Sequence, residues 1–439
     1  MKKPVIALYS LGCVKNLIDS EQALAQLGMA GTTFTSDPRD ADCAIVNTCT
    51  FVRDADAESR EAIREAARAK KDGRCRWLFV VGCMGARYGK SLLAEFPEVD
   101  AVYGVLDSAT VMRILERVAG RGRASPRESV PPRLRLTPRH YAYLRIAEGC
   151  DNRCSYCVIP TVRGALTSRP IDQIILEARH LADDGAREII VVAQDITNFG
   201  VDRAGRRMLP ELLNRLVEVE KVRWIRLLYM HPAHVDDAVI DTIASHGKIL
   251  RYVDLPLQHV SDAVLERMGR KVDSAAIRRL VETIRRRVQG VVMRTTFIVG
   301  FPGERDEDYE ALERAVRELR FDRLGVFAYS PEQGTPAAGM PAQVPQDVRS
   351  ARRDRLLRVQ QEIAFERNRA MVGRTLEVLV DDVDKDGVRI GRSYGEAPDA
   401  DPVILISGSN ASPGDFVQAR ISNARGYDLA AESVGGGGA

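Results

Sequence analysis

Short apolar runs rich in β-branched residues alternate with stretches of helical period along the first part of the chain. Residues 5–8, 44–46 and 77–81 read as strands, and 20–27 and 57–69 as helices. That order is the pattern of a parallel α/β unit. From residue 141 the alternation restarts and runs longer, with strands expected at 141–147, 188–193, 223–229, 251–255, 291–299 and 324–329. Helical periods at 171–184, 210–219, 235–245, 274–288 and 306–319 lie between them. This predicts an incomplete (β/α) barrel, with its functional groups at the C-terminal ends of the strands. A basic helix at 348–371 leads to short alternating strands at 376–380, 403–406 and 416–421, punctuated by Gly and Asp, which predict a small antiparallel β-barrel. Pro126, Pro131, Pro132 and Pro138 bar a helix or central strand between 120 and 140. The expected division is therefore 1–120, a linker at 121–139, a barrel at 140–370, a small β-domain at 371–434 and a glycine-rich tail at 435–439.

Bulk composition narrows the chemistry only a little. The 439 residues suffice for several cores, and a net charge of +3 does not mark the whole chain as a nucleic-acid binder. No apolar run approaches the roughly 18 residues that cross a bilayer. Eight cysteines are too few for a disulfide scaffold, and their clustering after apolar runs indicates metal ligation in a reducing compartment. A cytoplasmic protein with no membrane partner is expected.

Cys150, Cys154 and Cys157 follow directly after the first barrel strand, in Glu148-Gly149-Cys150-Asp151-Asn152-Arg153-Cys154-Ser155-Tyr156-Cys157. Three thiolates in one loop grip three corners of a cubane cluster and leave one iron open to another ligand, whereas structural zinc wants four protein ligands. Cys13, Cys49 and Cys83 each stand just past an expected strand of the first unit. In a parallel sheet such ends share one edge, so three cysteines distant in sequence can converge on a second cluster. Cys43 and Cys75 precede their strands and belong at the opposite edge, about 15–20 Å away at ~3.3 Å per residue.

The loop with Cys150, Cys154 and Cys157 on the first strand of a (β/α) barrel resembles the radical S-adenosylmethionine (SAM) superfamily. There the open iron binds the amino and carboxylate groups of SAM. Joined to the triad of Cys13, Cys49 and Cys83, it resembles the methylthiotransferase family over nearly the whole chain. That family unites an N-terminal cluster domain, a radical SAM barrel and a C-terminal TRAM domain. The resemblance implies two 4Fe-4S clusters, SAM and a reducing electron donor. It also implies transfer of a methylthio group to a carbon that a deoxyadenosyl radical has stripped of hydrogen. Tyr156 takes the family position near the adenine, and Gly300-Phe301-Pro302-Gly303-Glu304 resembles the loop that approaches SAM. Arg294, alternating with Thr296 on the fifth strand, either meets the SAM carboxylate or forms a barrel-core ion pair.

Two branches of the family differ in target, adenosine in tRNA or the β-carbon of an aspartate in an S12-type ribosomal protein of the small subunit. Lys15-Asn16, Ala193-Gln194-Asp195 and Gly391-Arg392-Ser393-Tyr394-Gly395-Glu396-Ala397-Pro398-Asp399 resemble the ribosomal-protein branch. Thr167-Ser168-Arg169 departs from the Arg-Ser-Arg frequent in relatives. Between 372 and 432 stand eleven acidic and six basic residues, a balance that favours a basic ribosomal protein, free or in the ribosome, over tRNA as partner. The arginines at 349, 352, 353, 355 and 358 keep contact with RNA open. Aspartate methylthiolation is thus the expectation, with tRNA modification and a non-catalytic iron–sulfur carrier as alternatives. Gln194, Asp195, His231, Gln258 and His259, all at strand ends, are candidates either for orienting the target residue or for a purely structural part.

Overall fold

A computed structural model describes residues 3–120 and 133–434. Pro126, Pro131, Pro132 and the glycine-rich tail fall outside them. The N-terminal unit is a five-stranded parallel sheet in the order Thr33–Phe34, Val5–Ser10, Cys43–Thr48, Trp77–Gly82, Ala101–Val102. Ser10 pairs with Asn47 and Thr48 with Gly82, so three strands stop together and the next residues leave from one edge. Cys43 opens its strand opposite Trp77, at the other end, and is fully buried; Cys75 stands two residues before Trp77, ahead of its strand at that same end, and is also buried.

All six expected barrel strands form, in the parallel order Tyr141–Arg145, Glu188–Val192, Trp224–Leu227, Ile249–Asp254, Val292–Val299, Arg323–Ala328. Their alternation sorts side chains into two cores. Ala142, Leu144, Ile189, Val191, Ile225, Leu227 and Val253 face the surrounding helices. Tyr141, Tyr143, Ile190, Val192, Trp224, Leu250 and Tyr252 face inward. A six-stranded open barrel cannot fill its interior alone. The inward cluster is completed by Ile18, Val14 and Leu17 of the N-terminal helix Val14–Met29 and by Leu379, Ala397, Tyr394 and Phe416 of the C-terminal unit.

That C-terminal unit is a closed five-stranded barrel around Val378, Val380, Ile404, Ile406, Ala419, Ile421, Leu429 and Ala431. Its pairings are antiparallel except one, since Ile404–Ser407 runs parallel to Asp428–Ser433 where the barrel closes. Two of its strands, Arg389–Arg392 and Asp428–Ser433, escape the hydrophobic pattern because short barrel strands interleave charged with apolar positions.

The electrostatic reading of this unit needs correction. Asp381 pairs with Arg392 at 2.6 Å and with His140 at 2.8 Å, Glu377 with Arg223, and Glu396 with Arg323 at 3.0 Å. Asp399 accepts from Tyr143 at 3.2 Å and Asp401 from Tyr252 at 2.6 Å. Five of the eleven acids are thus spent on docking against the barrel, as is Arg392, and six acids face five basic residues on what remains. The helix Gln346–Arg369 is similarly committed: Arg352 holds Glu304 and Asp306 at 2.6 Å each, and Arg355 holds Glu313 at 2.6 Å.

Deepest in the seam lies Glu188, fully buried between Arg226 at 2.6 Å and Arg392 at 2.6 Å. Removing the shared carboxylate leaves the buried Arg226 guanidinium without a counter-charge, while Arg392 keeps only Asp381. Glu188→Ala is expected to cost about 3–5 kcal/mol. A fall in thermal midpoint with earlier proteolytic release of the C-terminal unit checks this; an unchanged midpoint contradicts it.

Candidate active site at the strand ends

The barrel cysteines sit on a loop held by backbone geometry. After the first strand, Ala147–Glu148 pairs antiparallel with Thr167–Ser168, and the chain turns at Gly149 with φ of +67°. A Cβ there would lie 2.1 Å from the Ala165 carbonyl oxygen, so only glycine fits. Each sulfur accepts an N–H: Asn152 N to Cys150 Sγ at 3.4 Å, Ile159 N to Cys157 Sγ at 3.5 Å, and Arg270 Nη1 to Cys154 Sγ at 3.7 Å. Burial pushes the Cys150 thiol up to about 11 and the Cys157 thiol up to about 12, so metal must displace protons to bind. Three thiols with donors that favour charge on sulfur are a fitting set for iron.

The second triad converges as the sheet edge predicts. Gly12 has φ of +87°, and a Cβ there would strike Cys49 Cβ at 2.5 Å. The thiols of Cys13 and Cys83 both act on that of Cys49, which burial chiefly pushes up to about 11. Sequence reasoning missed the residue that gathers the three loops. Asn16 donates from Nδ2 to Leu11 O at 2.9 Å and to Thr48 O at 2.8 Å, while its Oδ1 faces Cys83 Sγ at 3.7 Å and Arg163 Nη2 at 2.5 Å. Its place one helical turn beyond Cys13 was the available signal.

The segments that carry the two triads are in contact. Cys83 packs against Val158 and Val162, the first of which directly follows Cys157. Asp19, on the same helix as Asn16, is gripped by Arg145 and by Arg163 at 2.9 Å, and Glu148 takes the second arm of Arg163 at 2.9 Å. These buried ions tie the first unit to the barrel loop.

Tyr156 packs with Phe301, their ring centroids 6.3 Å apart, in an apolar cluster with Val264, Met268 and Tyr329. Its ring and the 300–304 loop are therefore brought together. Gly300 has φ of +69° and abuts Arg349; Gly303, φ +79°, accepts at its carbonyl from Arg267 at 2.8 Å. Glu304 turns inward: its carboxylate accepts from Gly300 N at 2.8 Å and pairs with Arg352, with His259 at 3.4 Å. It shapes the loop instead of facing the mouth. Arg294 takes the second role open to it, pairing with Asp254 at 2.9 Å and lying 3.6 Å from Asp401 of the C-terminal unit. Asp195 receives Asn152 Nδ2 at 2.8 Å and His234 at 2.8 Å, and with His231 and His234 forms a compact trio whose ligand atoms lie within 4.8 Å. Burial pushes His231 down to about 3, which keeps its imidazole neutral. Gln258, at φ +72°, links to the fifth strand through its backbone.

Known proteins agree with this arrangement domain by domain. Residues 5–104 match Uncharacterized protein family UPF0004, 144–316 the Radical SAM superfamily and 372–434 the TRAM domain. A ribosomal protein uS12 methylthiotransferase RimO from Pelotomaculum thermopropionicum is 46% identical over 98% of this chain and 99% of its own. RimO proteins from Anaeromyxobacter sp. and Geotalea uraniireducens are 45% and 43% identical, each over 98% of this chain and over 93% and 99% of their own lengths. The chain belongs to the RimO methylthiotransferase family. As a RimO-family protein it is a radical SAM enzyme, with SAM and 4Fe-4S chemistry. Among solved structures, the radical SAM methyltransferase TsrM from Kitasatospora setae shares the fold at a TM-score of 0.57 and 18% identity, covering 76% of this chain and 75% of that one. Among the described residues, no helix of this RimO-family chain is long and apolar enough to cross a membrane.

Gly12→Ala should force Cys49 aside and cost at least about 1–2 kcal/mol through its left-handed backbone. Thermal denaturation and iron content after anaerobic reconstitution check this. Wild-type values in both would contradict the tight approach.

Proposed function

We propose that this enzyme attaches a methylthio group to the β-carbon of an aspartate in the uS12-type protein of the small ribosomal subunit, using two 4Fe-4S clusters. The near-full-length identity to ribosomal protein uS12 methylthiotransferases carries the reading of the target, and the contact of Cys83 with Val158, the residue after Cys157, supports two neighbouring clusters. When bound, the clusters and SAM supply the sulfur, the methyl group and the hydrogen-abstracting radical. Cys150, Cys154 and Cys157 would hold one cluster, and Cys13, Cys49 and Cys83 the other.

The chain's own contribution is alignment and shelter. Asn16 fixes the auxiliary triad as a unit, and Arg163 locks that unit to the barrel loop. Tyr156 and Phe301 belong to an apolar cluster suited to the adenine, and the left-handed Gly300 and Gly303 set the turn of the 300–304 loop beside it. The names of relatives sharing more than two-fifths of their residues support the ribosomal target. The nearly balanced surface of the small β-domain does not by itself choose between protein and RNA. An external donor must supply electrons.

Two experiments test the proposal. Cys150→Ala and Cys49→Ala should each lose about half the iron of the reconstituted enzyme while Cys43→Ala loses none; loss of all iron from either ligand variant, or of none, contradicts two independent clusters. Mass spectrometry on a strain lacking the gene should find the ribosomal protein without its methylthio group and tRNA nucleosides unaltered. The opposite pattern assigns the enzyme to tRNA.

A further inference from the structure

Lys15 stands two residues beyond Cys13 on the helix Val14–Met29, and only 5% of it reaches solvent. Its Nζ lies 3.2 Å from the centroid of the Tyr229 ring. Tyr229 follows the third barrel strand, at the C-terminal mouth, in a left-handed backbone conformation with φ of +66°. Among the described residues Lys15 has no hydrogen bond and no carboxylate within 4.0 Å. Asp19, one turn along, is held by Arg145 and Arg163. Asp254 accepts from Tyr229 N at 2.8 Å and pairs with Arg294 at 2.9 Å. Asp195 is taken by Asn152, Thr197 and His234. Each of these three carboxylates is engaged elsewhere, and the buried ammonium faces an aromatic ring.

A buried unpaired ammonium is costly, and a ring face offsets only part of that cost. Such a group persists where an anion completes the site in use. Lys15 belongs to the helix that begins at the auxiliary triad and points across to a barrel strand end, so its charge sits where the two halves of the reaction meet. The reactant required there carries a carboxylate on the carbon next to the one that changes.

We propose that Lys15 is the positioning residue for the target side chain, its ammonium receiving the carboxylate of the aspartate whose β-carbon takes the methylthio group. The inference rests on the function proposed above. It adds a reason for choosing aspartate over its amide, since asparagine would leave the cation buried and unpaired.

The test is a binding cycle on the reconstituted holoenzyme with SAM present. Peptides spanning the target loop of the ribosomal protein, one with aspartate and one with asparagine at the target, are titrated against wild type, Lys15→Gln and Lys15→Arg. Wild type should bind the aspartate peptide about tenfold or more tightly than the asparagine peptide. Lys15→Gln should bring the two affinities together, and Lys15→Arg should restore part of the difference. Iron content and thermal midpoint, measured on each variant, identify loss of the fold, which would weaken both peptides alike. Discrimination that survives in Lys15→Gln overturns the proposal. Survival together with weakened SAM binding assigns the lysine to the SAM carboxylate. Failure of the wild type to bind either peptide refutes the ribosomal target itself, a result distinct from equal binding of both.

Discussion

The clasp of Asp19 by Arg145 and Arg163 is the interaction on which the rest of the molecule depends. It is a buried ion cluster between a helix that starts at one cysteine triad and a loop that carries the other. Isolated buried ion pairs add little net stability, but severing one leaves an uncompensated charge, so they fix geometry more than they strengthen a fold. Here the geometry fixed is that between the two sites. Asn16, Glu148 and Glu21 extend the cluster; Glu21 binds Arg133, which also holds Glu177 at 3.0 Å. The helix Val14–Met29 therefore buries Lys15, Asn16, Asp19, Ser20 and Glu21 as well as the apolar Ile18, Ala23, Leu24 and Leu27.

The same logic explains why three domains form one enzyme. An open six-stranded barrel exposes the inner faces of its strands, and the apolar residues there need cover. The N-terminal helix supplies it near the mouth with Val14, Leu17 and Ile18, and the C-terminal unit supplies it elsewhere with Leu379, Ala397 and Phe416. Charged residues finish the seams, with Glu188 bridging Arg226 and Arg392. Much of the acidity of the small β-domain is therefore docking chemistry. A charge count over the sequence could not separate it from a surface meant for a partner.

Strand positions were legible because parallel strands buried on both faces read as continuous apolar runs, and the places of the six cysteines just past strand ends followed from where those runs stop. The start of the first helix was not legible. Lys15, Asn16 and Asp19 break the apolar period, so the pattern begins only at Ser20, although the helix begins at Val14. Those residues are polar because their partners, Arg163, Arg145 and the mouth of the barrel, lie more than a hundred positions away. Glu304 and Arg294 show the same limit from the other side. Both stand at the expected strand or loop, yet Arg352 and Asp254 claim their charges. Sequence reports which residues reach a strand end, whereas tertiary pairing decides which remain free there.

The central proposal is that the enzyme binds two clusters and that the clasp holds them close enough to act on one carbon. Electron paramagnetic resonance of the fully reduced, reconstituted enzyme tests it most directly. The account predicts spectra broadened or split by magnetic interaction between the clusters, and relaxation of that interaction in Asp19→Ala with iron content retained. Two independent, non-interacting signals in the wild type would contradict it.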